Sequence, residues 1–215
     1  MAHVLLYGGT FDPIHHGHLI TCRAAREAVR ADFVALIPAW LSPHKRGDPP
    51  TATGAQRLRM IELAIEGQED FVADGRELAR RGPSYTYDTL QELRRSRPGD
   101  RFTLLIGADQ LPKLHTWHKI KTLLTQTPAA VMARSSAKPA GLASARRHLG
   151  PLVDRLAILP TPLIDISATV IRRRAERGLA ISFLVPAPVA AYITEQNLYR
   201  PPPKAIRPNR FAPAA

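Results

Sequence analysis

This sequence of 215 residues has a single cysteine and no long apolar run, and it lacks several common metal-binding and nucleotide-binding signatures. The single cysteine, Cys22, excludes an intramolecular disulfide, so nothing in the composition indicates an oxidising compartment. No run of about 18 apolar residues occurs, and the first residues, MAHVLLYGG, lack the charged start and the apolar length of a signal peptide. The sequence therefore predicts a cytoplasmic protein that does not span or bind a membrane.

Three ligand-binding signatures are also absent. A zinc site would need a third and usually a fourth ligand, and the chain has neither an H-E-x-x-H nor a C-x-x-C pair. The phosphate-binding loop G-x-x-x-x-G-K-[ST] and the dinucleotide fingerprint G-x-G-x-x-G do not occur. If the protein binds phosphates, it must do so with another arrangement of residues.

Acidic residues are few, with 18 against 30 basic ones and a net charge of +12. Part of this charge lies in residues 200–215, RPPPKAIRPNRFAPAA, which contain no acid. The remaining basic charge favours polyanions such as nucleotides, pyrophosphate or nucleic acid, although a solvated basic surface would have the same composition. The proline-rich tail is predicted to be disordered, which leaves a single domain over residues 1–199.

Short apolar runs alternate along the chain with helix-forming segments. The predicted strands are 3–8, 33–38, 71–78, 102–107, 129–133 and 155–160. The predicted helices are 18–30, 54–67, 85–95, 117–124, 144–149, 167–178 and 188–197. This alternation indicates βαβ units, so we predict an α/β fold with a doubly wound, Rossmann-like parallel sheet and helices on both faces.

The run GGTFDPIHHGH, residues 8–18, follows the first predicted strand and precedes a helix. In a doubly wound sheet this is where ligands bind, because the helix start presents unpaired N–H groups and a positive dipole end. Gly8 and Gly9 would let a polyphosphate approach the backbone. His15 and His18 are three residues apart and would project on one face of the helix. Surface histidines at a helix start would explain one of these histidines but not the whole run.

The same run resembles the signature of the nucleotidyltransferase superfamily that carries an H-x-G-H motif. Five further segments are similar to bacterial nicotinate-nucleotide adenylyltransferases, and together they extend the resemblance over nearly all of residues 3–199. They are IPAWLSPHK (37–45), RELARRGPSYTYDTL (76–90), LIGADQLPKLHTWHKI (105–120), DISATVIRRR (165–174) and VPAPVAAYITEQNLY (185–199). The H-x-G-H motif alone indicates only the superfamily, whereas PSYT, GAD…W and ISAT together indicate the specific family.

The resemblance implies transfer of AMP from ATP to nicotinate mononucleotide, giving deamido-NAD and pyrophosphate in NAD biosynthesis. It implies Mg²⁺ as the cofactor that accompanies ATP. Asp12 and Asp109 are the obvious carboxylates, but phosphates and water could hold most of the ion, so no protein ligand is assigned. Phosphoryl transfer needs positioning and charge stabilisation more than a protein nucleophile, and the chain offers histidines and arginines for this purpose.

The resemblance also implies which residues contact ATP. His15 and His18 would be the catalytic pair, with His18 the stronger candidate for stabilising the transition state. The other implied ATP-binding residues are Gly8, Gly9, Thr10, Lys45, Gly107, Asp109, Ser167, Thr169 and Arg172. His44 and Lys45 would add positive charge, but a solvated loop would look the same. Ser167 could equally be only a helix N-cap.

For nicotinate mononucleotide, the resemblance implies Thr86, Trp117 and His118. Trp117 would stack on the pyridine ring, and backbone N–H groups of Thr86 and His118 would bind its carboxylate. Taken alone, a tryptophan on an amphipathic helix is more often part of the core.

Two rival functions follow from the same residues. An adenylyltransferase for another acceptor, such as nicotinamide mononucleotide or phosphopantetheine, would share the N-terminal motif. A nucleic-acid-binding module would explain the basic charge, but no basic patch is interleaved with aromatic residues, so we predict no nucleic-acid partner.

Overall fold

The computed structural model of the chain describes residues 1–44, 49–133, 139 and 141–200. Within this part of the chain there are six strands, β1 to β6. Their bounds are His3–Gly9, Phe33–Pro38, Phe71–Ala73, Arg101–Gly107, Ala129–Ala133 and Leu156–Pro160. All six form one parallel sheet in the order β3-β2-β1-β4-β5-β6. The strand order reverses between the central strands β1 and β4, which is the position where such sheets bind ligands.

Eight α-helices, α1 to α8, connect and cover the strands in the described residues. Their bounds are His16–Val29, Gly54–Ala64, Arg76–Arg80, Thr86–Ser96, Ile120–Gln126, Leu142–Leu149, Ala168–Glu176 and Ala187–Glu195. Two 3₁₀ helices, Ala108–Thr116 and Gly150–Arg155, lie before α5 and before β6. None of the described helices is long and apolar enough to cross a membrane.

The sheet has a hydrophobic core on each face, because successive strand residues point to opposite sides. In β1, Leu5 belongs to one core, while Val4 and Leu6 belong to the other. Helices α1, α2, α7 and α8 pack on the first face, and α4, α5, α6 and the first 3₁₀ helix pack on the second. This arrangement confirms the predicted Rossmann-like α/β fold with helices on both faces.

Most boundaries lie within three residues of the sequence-based expectation, and two elements differ in a way that needs a physical reason. The strand predicted over 71–78 ends at Ala73, and the short helix α3 follows it. The helix predicted over 117–124 begins only at Ile120, because Lys119 has a left-handed backbone (φ 50°) and cannot continue a helix that starts at Trp117. The tail from residue 201 onward lies outside the described residues.

Candidate active site

A cavity of about 1050 Å³ opens at the carboxyl ends of the central strands. It is lined by every residue proposed from the sequence that lies in the described part of the chain. These residues are Gly8, Gly9, Thr10, His15, His18, His44, Thr86, Gly107, Asp109, Trp117, His118, Ser167, Thr169 and Arg172. Lys45 lies outside the described residues. We call Gly8–Thr10, His15, His18 and Arg172 the histidine end of the cavity, and Thr86, Trp117 and His118 the tryptophan end.

At the histidine end, the loop after β1 leaves its backbone open to the cavity. A Cβ added at Gly8 would have no heavy atom within 4 Å, so this backbone faces open space. A Cβ at Gly9 would lie 2.9 Å from the ring of Phe11, so Gly9 permits the close packing of that ring. The buried Arg57 donates to the Thr10 carbonyl oxygen over 2.7 Å and supports the loop from behind.

The two histidines of the H-x-G-H motif cap the helix α1 and stack on each other. The backbone N–H of His18 donates to Nδ1 of His15, and the N–H of His15 donates to Nδ1 of His18, both over 3.3 Å. Their ring centroids are 3.6 Å apart, at an angle of 19°. A Cβ at Gly17 would lie 3.0 Å from His15 Nδ1, so a larger residue there would disturb the stack.

This capping arrangement determines which ring nitrogens can donate. Because each Nδ1 accepts a backbone N–H, a neutral imidazole in this position carries its proton on Nε2. Burial, and to a lesser extent the neighbouring His16, lower the pKa of His15 to about 4. At neutral pH, His15 is therefore an uncharged imidazole with one N–H donor, and protonation at Nδ1 would remove its cap.

Aromatic rings hold His18 from its other sides. The Phe11 ring meets it edge-on at 5.1 Å between centroids, and the Tyr7 ring lies at 6.1 Å. Phe11 is buried and has a left-handed backbone (φ 49°), which a non-glycine residue adopts only where surrounding contacts require it. His18 is thus fixed by three rings and a helix cap before any ligand binds.

The start of α7 forms a further wall of the cavity. Ser167 is the N-cap of this helix, accepting the Val170 N–H over 3.3 Å, and it also borders the cavity. Ser167 is therefore both the N-cap of α7 and a residue that lines the cavity. Arg172 lies one turn further, with Nη2 3.5 Å from Thr169 Oγ1 and Nη1 2.8 Å from the Asp12 carbonyl oxygen. The α7 start thus presents a hydroxyl, N–H groups and a guanidinium to the same cavity.

Asp109 lies just beyond β4 and is exposed to the cavity. Its carboxylate accepts from the Gln110 side chain over 2.6 Å, and a Cβ at Gly107 would collide with it. The glycine is therefore needed for this position of the acid. Among the described residues, no three histidine, cysteine or acidic side chains are grouped to hold a metal ion.

The tryptophan end is built around Trp117, which closes the first 3₁₀ helix. Trp117 packs against the core and also borders the cavity, so it is both a core residue and a wall. The His44 ring lies 6.2 Å from it at an angle of 28°, and the Tyr85 ring lies 4.6 Å from that of His118. Thr86 is the first residue of α4, where N–H groups have no acceptor within the helix.

Glu77 is a cavity residue that sequence reasoning missed. It is buried, and its carboxylate accepts from Thr89 Oγ1 of α4 over 2.5 Å. Burial raises its pKa, and hydrogen bonds from Thr89 and Ser84 partly oppose the rise. Glu77 thereby connects α3 to α4, the helix that begins at Thr86. Glu77 lies in α3, which is too short to be predicted, so the sequence gave no signal for this residue.

Comparisons with known proteins agree with this geometry. A profile of the cytidylyltransferase-like family matches residues 6–174. A protein of Exiguobacterium sibiricum named "probable nicotinate-nucleotide adenylyltransferase" is 40% identical over 194 residues, covering 90% of this chain and 97% of that protein. A protein of Thermomicrobium roseum with the same name is 38% identical over 200 residues, covering 93% and 92%.

Solved structures share the fold. The nicotinic acid mononucleotide adenylyltransferase of Plasmodium falciparum complexed with NaAD superposes with a TM-score of 0.71 at 18% identity, covering 93% of this chain and 98% of that one. The same enzyme complexed with APC gives a TM-score of 0.72 at 16% identity.

Proposed function

The chain belongs to the cytidylyltransferase-like family and, within it, to the nicotinate-nucleotide adenylyltransferases, and from this membership we propose how its residues perform the reaction. The enzyme transfers AMP from ATP to nicotinate mononucleotide, which gives deamido-NAD and pyrophosphate in NAD biosynthesis. The residue roles below are our proposal, as is its action in the cytoplasm.

ATP occupies the histidine end of the cavity in this proposal. Its phosphates lie along the open backbone of Gly8–Thr10 and against the start of α7, where Ser167, Thr169 and Arg172 converge. Gly107 and Asp109, at the end of β4, face the ribose or base. Lys45, which follows β2 in the sequence, would add positive charge. A polyphosphate would thus meet N–H groups and cations on two sides.

Transfer proceeds by direct displacement at the α-phosphorus. A phosphate oxygen of nicotinate mononucleotide forms the new P–O bond as the bond to the pyrophosphate oxygen breaks, so no covalent enzyme intermediate arises. His15 and His18 donate through Nε2 to the phosphate oxygens on which charge develops. Their rings are already fixed by the mutual cap and stack, so the donors need no rearrangement during the reaction.

We propose that Mg²⁺ arrives as the complex with ATP. Bound there, it would neutralise phosphate charge. Asp12 does not fit as a ligand, because its carboxylate already accepts from two backbone N–H groups and from Tyr199. Asp109 is exposed to the cavity and fits as a contact of its ion or hydration shell. This donor set suits an ion held mainly by phosphates and water.

Nicotinate mononucleotide occupies the tryptophan end. Its pyridine ring stacks on Trp117, and the N–H groups of Thr86 and His118 donate to its carboxylate. The support for this is the position of Thr86 at a helix start and the contact of the Tyr85 and His118 rings, which brings the two segments together. Acid recognition by backbone donors requires no charged side chain.

One observation carries the proposal: the mutually capped histidine pair lies in the same cavity as the Thr86–Trp117 wall. The test is to incubate the protein with labelled ATP, Mg²⁺ and one acceptor at a time, and to measure pyrophosphate and the adenylylated product. We expect rapid formation of deamido-NAD from nicotinate mononucleotide. Faster use of phosphopantetheine or nicotinamide mononucleotide would contradict the assignment.

A further inference from the structure

A buried hydrogen-bond cluster joins the histidine end of the cavity to the last described residues of the chain. Asp12 and Tyr199 are at its centre, and neither has a role in the mechanism above. We propose that they are positioning residues, which together keep the Arg172 guanidinium directed toward the phosphates of ATP. The inference rests on the proposed role of Arg172.

The Asp12 carboxylate is 3% exposed and receives three hydrogen bonds. The N–H groups of Thr51 and Ala52 donate to it over 2.8 Å and 3.1 Å. The Tyr199 hydroxyl donates to Oδ1 over 2.8 Å, across 187 residues of sequence. Burial and the nearby Asp12 charge raise the pKa of Tyr199, so the phenol stays protonated and remains a donor. This carboxylate has nearly all its hydrogen-bonding capacity filled.

Arg172 contacts the backbone of Asp12 more closely than its carboxylate. Nη1 donates to the Asp12 carbonyl oxygen over 2.8 Å, whereas its distance to the carboxylate oxygen Oδ2 is 3.9 Å. A carboxylate without other donors would draw a guanidinium into a close, two-bond pair. Because Thr51, Ala52 and Tyr199 already satisfy Asp12, the arginine makes one short bond to the Asp12 carbonyl and a long one to Thr169, and it keeps N–H groups for a ligand in the cavity.

Tyr199 is thus expected to act on catalysis through Arg172. Without its hydroxyl, Oδ1 of Asp12 would lose a donor, and the carboxylate would compete for Arg172. The arginine would then turn from the cavity toward Asp12, which weakens binding of the ATP phosphates but leaves the tryptophan end unchanged. A purely structural role for Tyr199 would affect both substrates and would not depend on Arg172.

The test is a double-mutant cycle on the full chain with Tyr199→Phe, Arg172→Ala and the combined variant. We expect Arg172→Ala to lower kcat/KM for ATP about tenfold to a hundredfold, the scale of a lost charge-assisted bond. Tyr199→Phe should lower kcat/KM for ATP about threefold to tenfold, the scale of a neutral bond, with KM for nicotinate mononucleotide unchanged. In the Arg172→Ala background, Tyr199→Phe should have no further effect on kcat/KM.

Tyr192→Phe is the matched control, since Tyr192 lies on α8 and its hydroxyl makes no hydrogen bond to a described residue; its kinetics should equal those of the wild type. An equal loss from Tyr199→Phe in both backgrounds would overturn the positioning role and leave the proposed function intact. No effect of Arg172→Ala would overturn both this inference and the proposed ATP contact of Arg172. If Tyr199→Phe fails to fold, Thr51→Pro replaces it in the same cycle, with the same two decisive outcomes, because it removes the N–H that donates to Oδ2 and leaves the carboxylate in place.

Discussion

The histidine end of the cavity is held by side chains that hydrogen-bond to backbone groups, whereas the tryptophan end, which includes the exposed His118, is placed by backbone geometry. His15 is 5% exposed and accepts the His18 N–H as the N-cap of α1, and Arg172 is tied to the loop after β1. His118 is exposed, and Thr86 and Trp117 are each half-buried. In the proposed mechanism, the two ends differ because charge develops at one of them and a flat ring with one carboxylate is recognised at the other.

This difference is what phosphoryl transfer requires. Stabilising developing charge depends on hydrogen-bond donors that are fixed before the reaction. Packing and hydrogen bonds to the side chains are what fix them. Recognising a carboxylate requires only two converging N–H groups, and the backbone can supply them independently of the side chains. We therefore expect side-chain changes to be severe at the histidine end and mild at His118.

The largest expected effect is that of His18→Ala. In the proposed mechanism the change removes a fixed donor to the transferring phosphate, so kcat should fall about a hundredfold or more, the scale for losing one preorganised donor. The measurement is turnover at saturating ATP and nicotinate mononucleotide, with circular dichroism to verify the fold.

His16→Ala is the matched control for this variant. His16 is adjacent in sequence and begins α1, but it does not border the cavity. Its turnover should stay near that of the wild type. If His18→Ala also turns over normally, the histidine end does not stabilise the transition state. If a zinc chelator unfolds the wild type, a metal site has been overlooked there.

The buried state of His15 predicts a loss of stability in acid. Its pKa is about 4 in the folded protein and 6.5 ordinarily, so between these values the unfolded chain binds the proton and the folded one does not. This group's contribution is complete above pH 6.5 and declines as the pH falls toward 4, by about 3 kcal/mol at most.

Denaturant unfolding of wild type and His15→Asn, measured between pH 7 and about pH 4, tests this expectation. Asparagine is a good N-cap but does not titrate, so the variant should lose less stability over this range. Parallel curves for the two proteins would show that His15 is protonated as readily in the folded state as in the unfolded chain.

The sequence predicted what depends on local pattern and missed what depends on distant contacts. FTLLIG, residues 102–107, is an apolar run and forms strand β4 as expected. The helix predicted to include Trp117 was wrong at its start, because its apolar pattern does not reveal the left-handed turn at Lys119. The bond of Tyr199 to Asp12 spans 187 residues, and no local pattern encodes it.

The site was predictable to the extent that the motif is contiguous. GGTFDPIHHGH contains both histidines and Gly17, which permits their stack, and the structure places all three at the cavity. Arg57 and Glu77 had no such signal, because a charged residue within a helix is ordinarily solvated. Their burial becomes evident only when the packed structure shows the Thr10 carbonyl and the Thr89 hydroxyl beside them.

At the tryptophan end we expect a preference for the acid over the amide of about tenfold to a hundredfold. A carboxylate accepts from both N–H groups, but a carboxamide satisfies only one of them well, and an unpaired buried donor costs roughly 1–3 kcal/mol. The measurement is kcat/KM for nicotinate and nicotinamide mononucleotide. Equal values in the wild type would contradict the assigned substrate.

Two variants show whether backbone or side chains make this distinction. His118→Ala keeps the N–H and should retain most of the preference, while Trp117→Ala removes the stacking surface and should weaken both substrates. A preference lost in His118→Ala would assign recognition to the imidazole, and the contrast between the two ends would disappear.

The smallest effect is expected from deletion of residues 201–215. Within the described part of the chain, the Tyr199 hydrogen bond to Asp12 ties the histidine end to the last residues. The removed segment is rich in proline and basic residues and has few apolar side chains to bury. Melting temperature and kcat/KM for both substrates should therefore stay near the wild-type values.

Deleting residues 199–215 serves as the contrast, because it also removes Tyr199 and should impair use of ATP. If the shorter deletion already impairs use of ATP, the tail contributes to the histidine end, which would then not be complete at Tyr199.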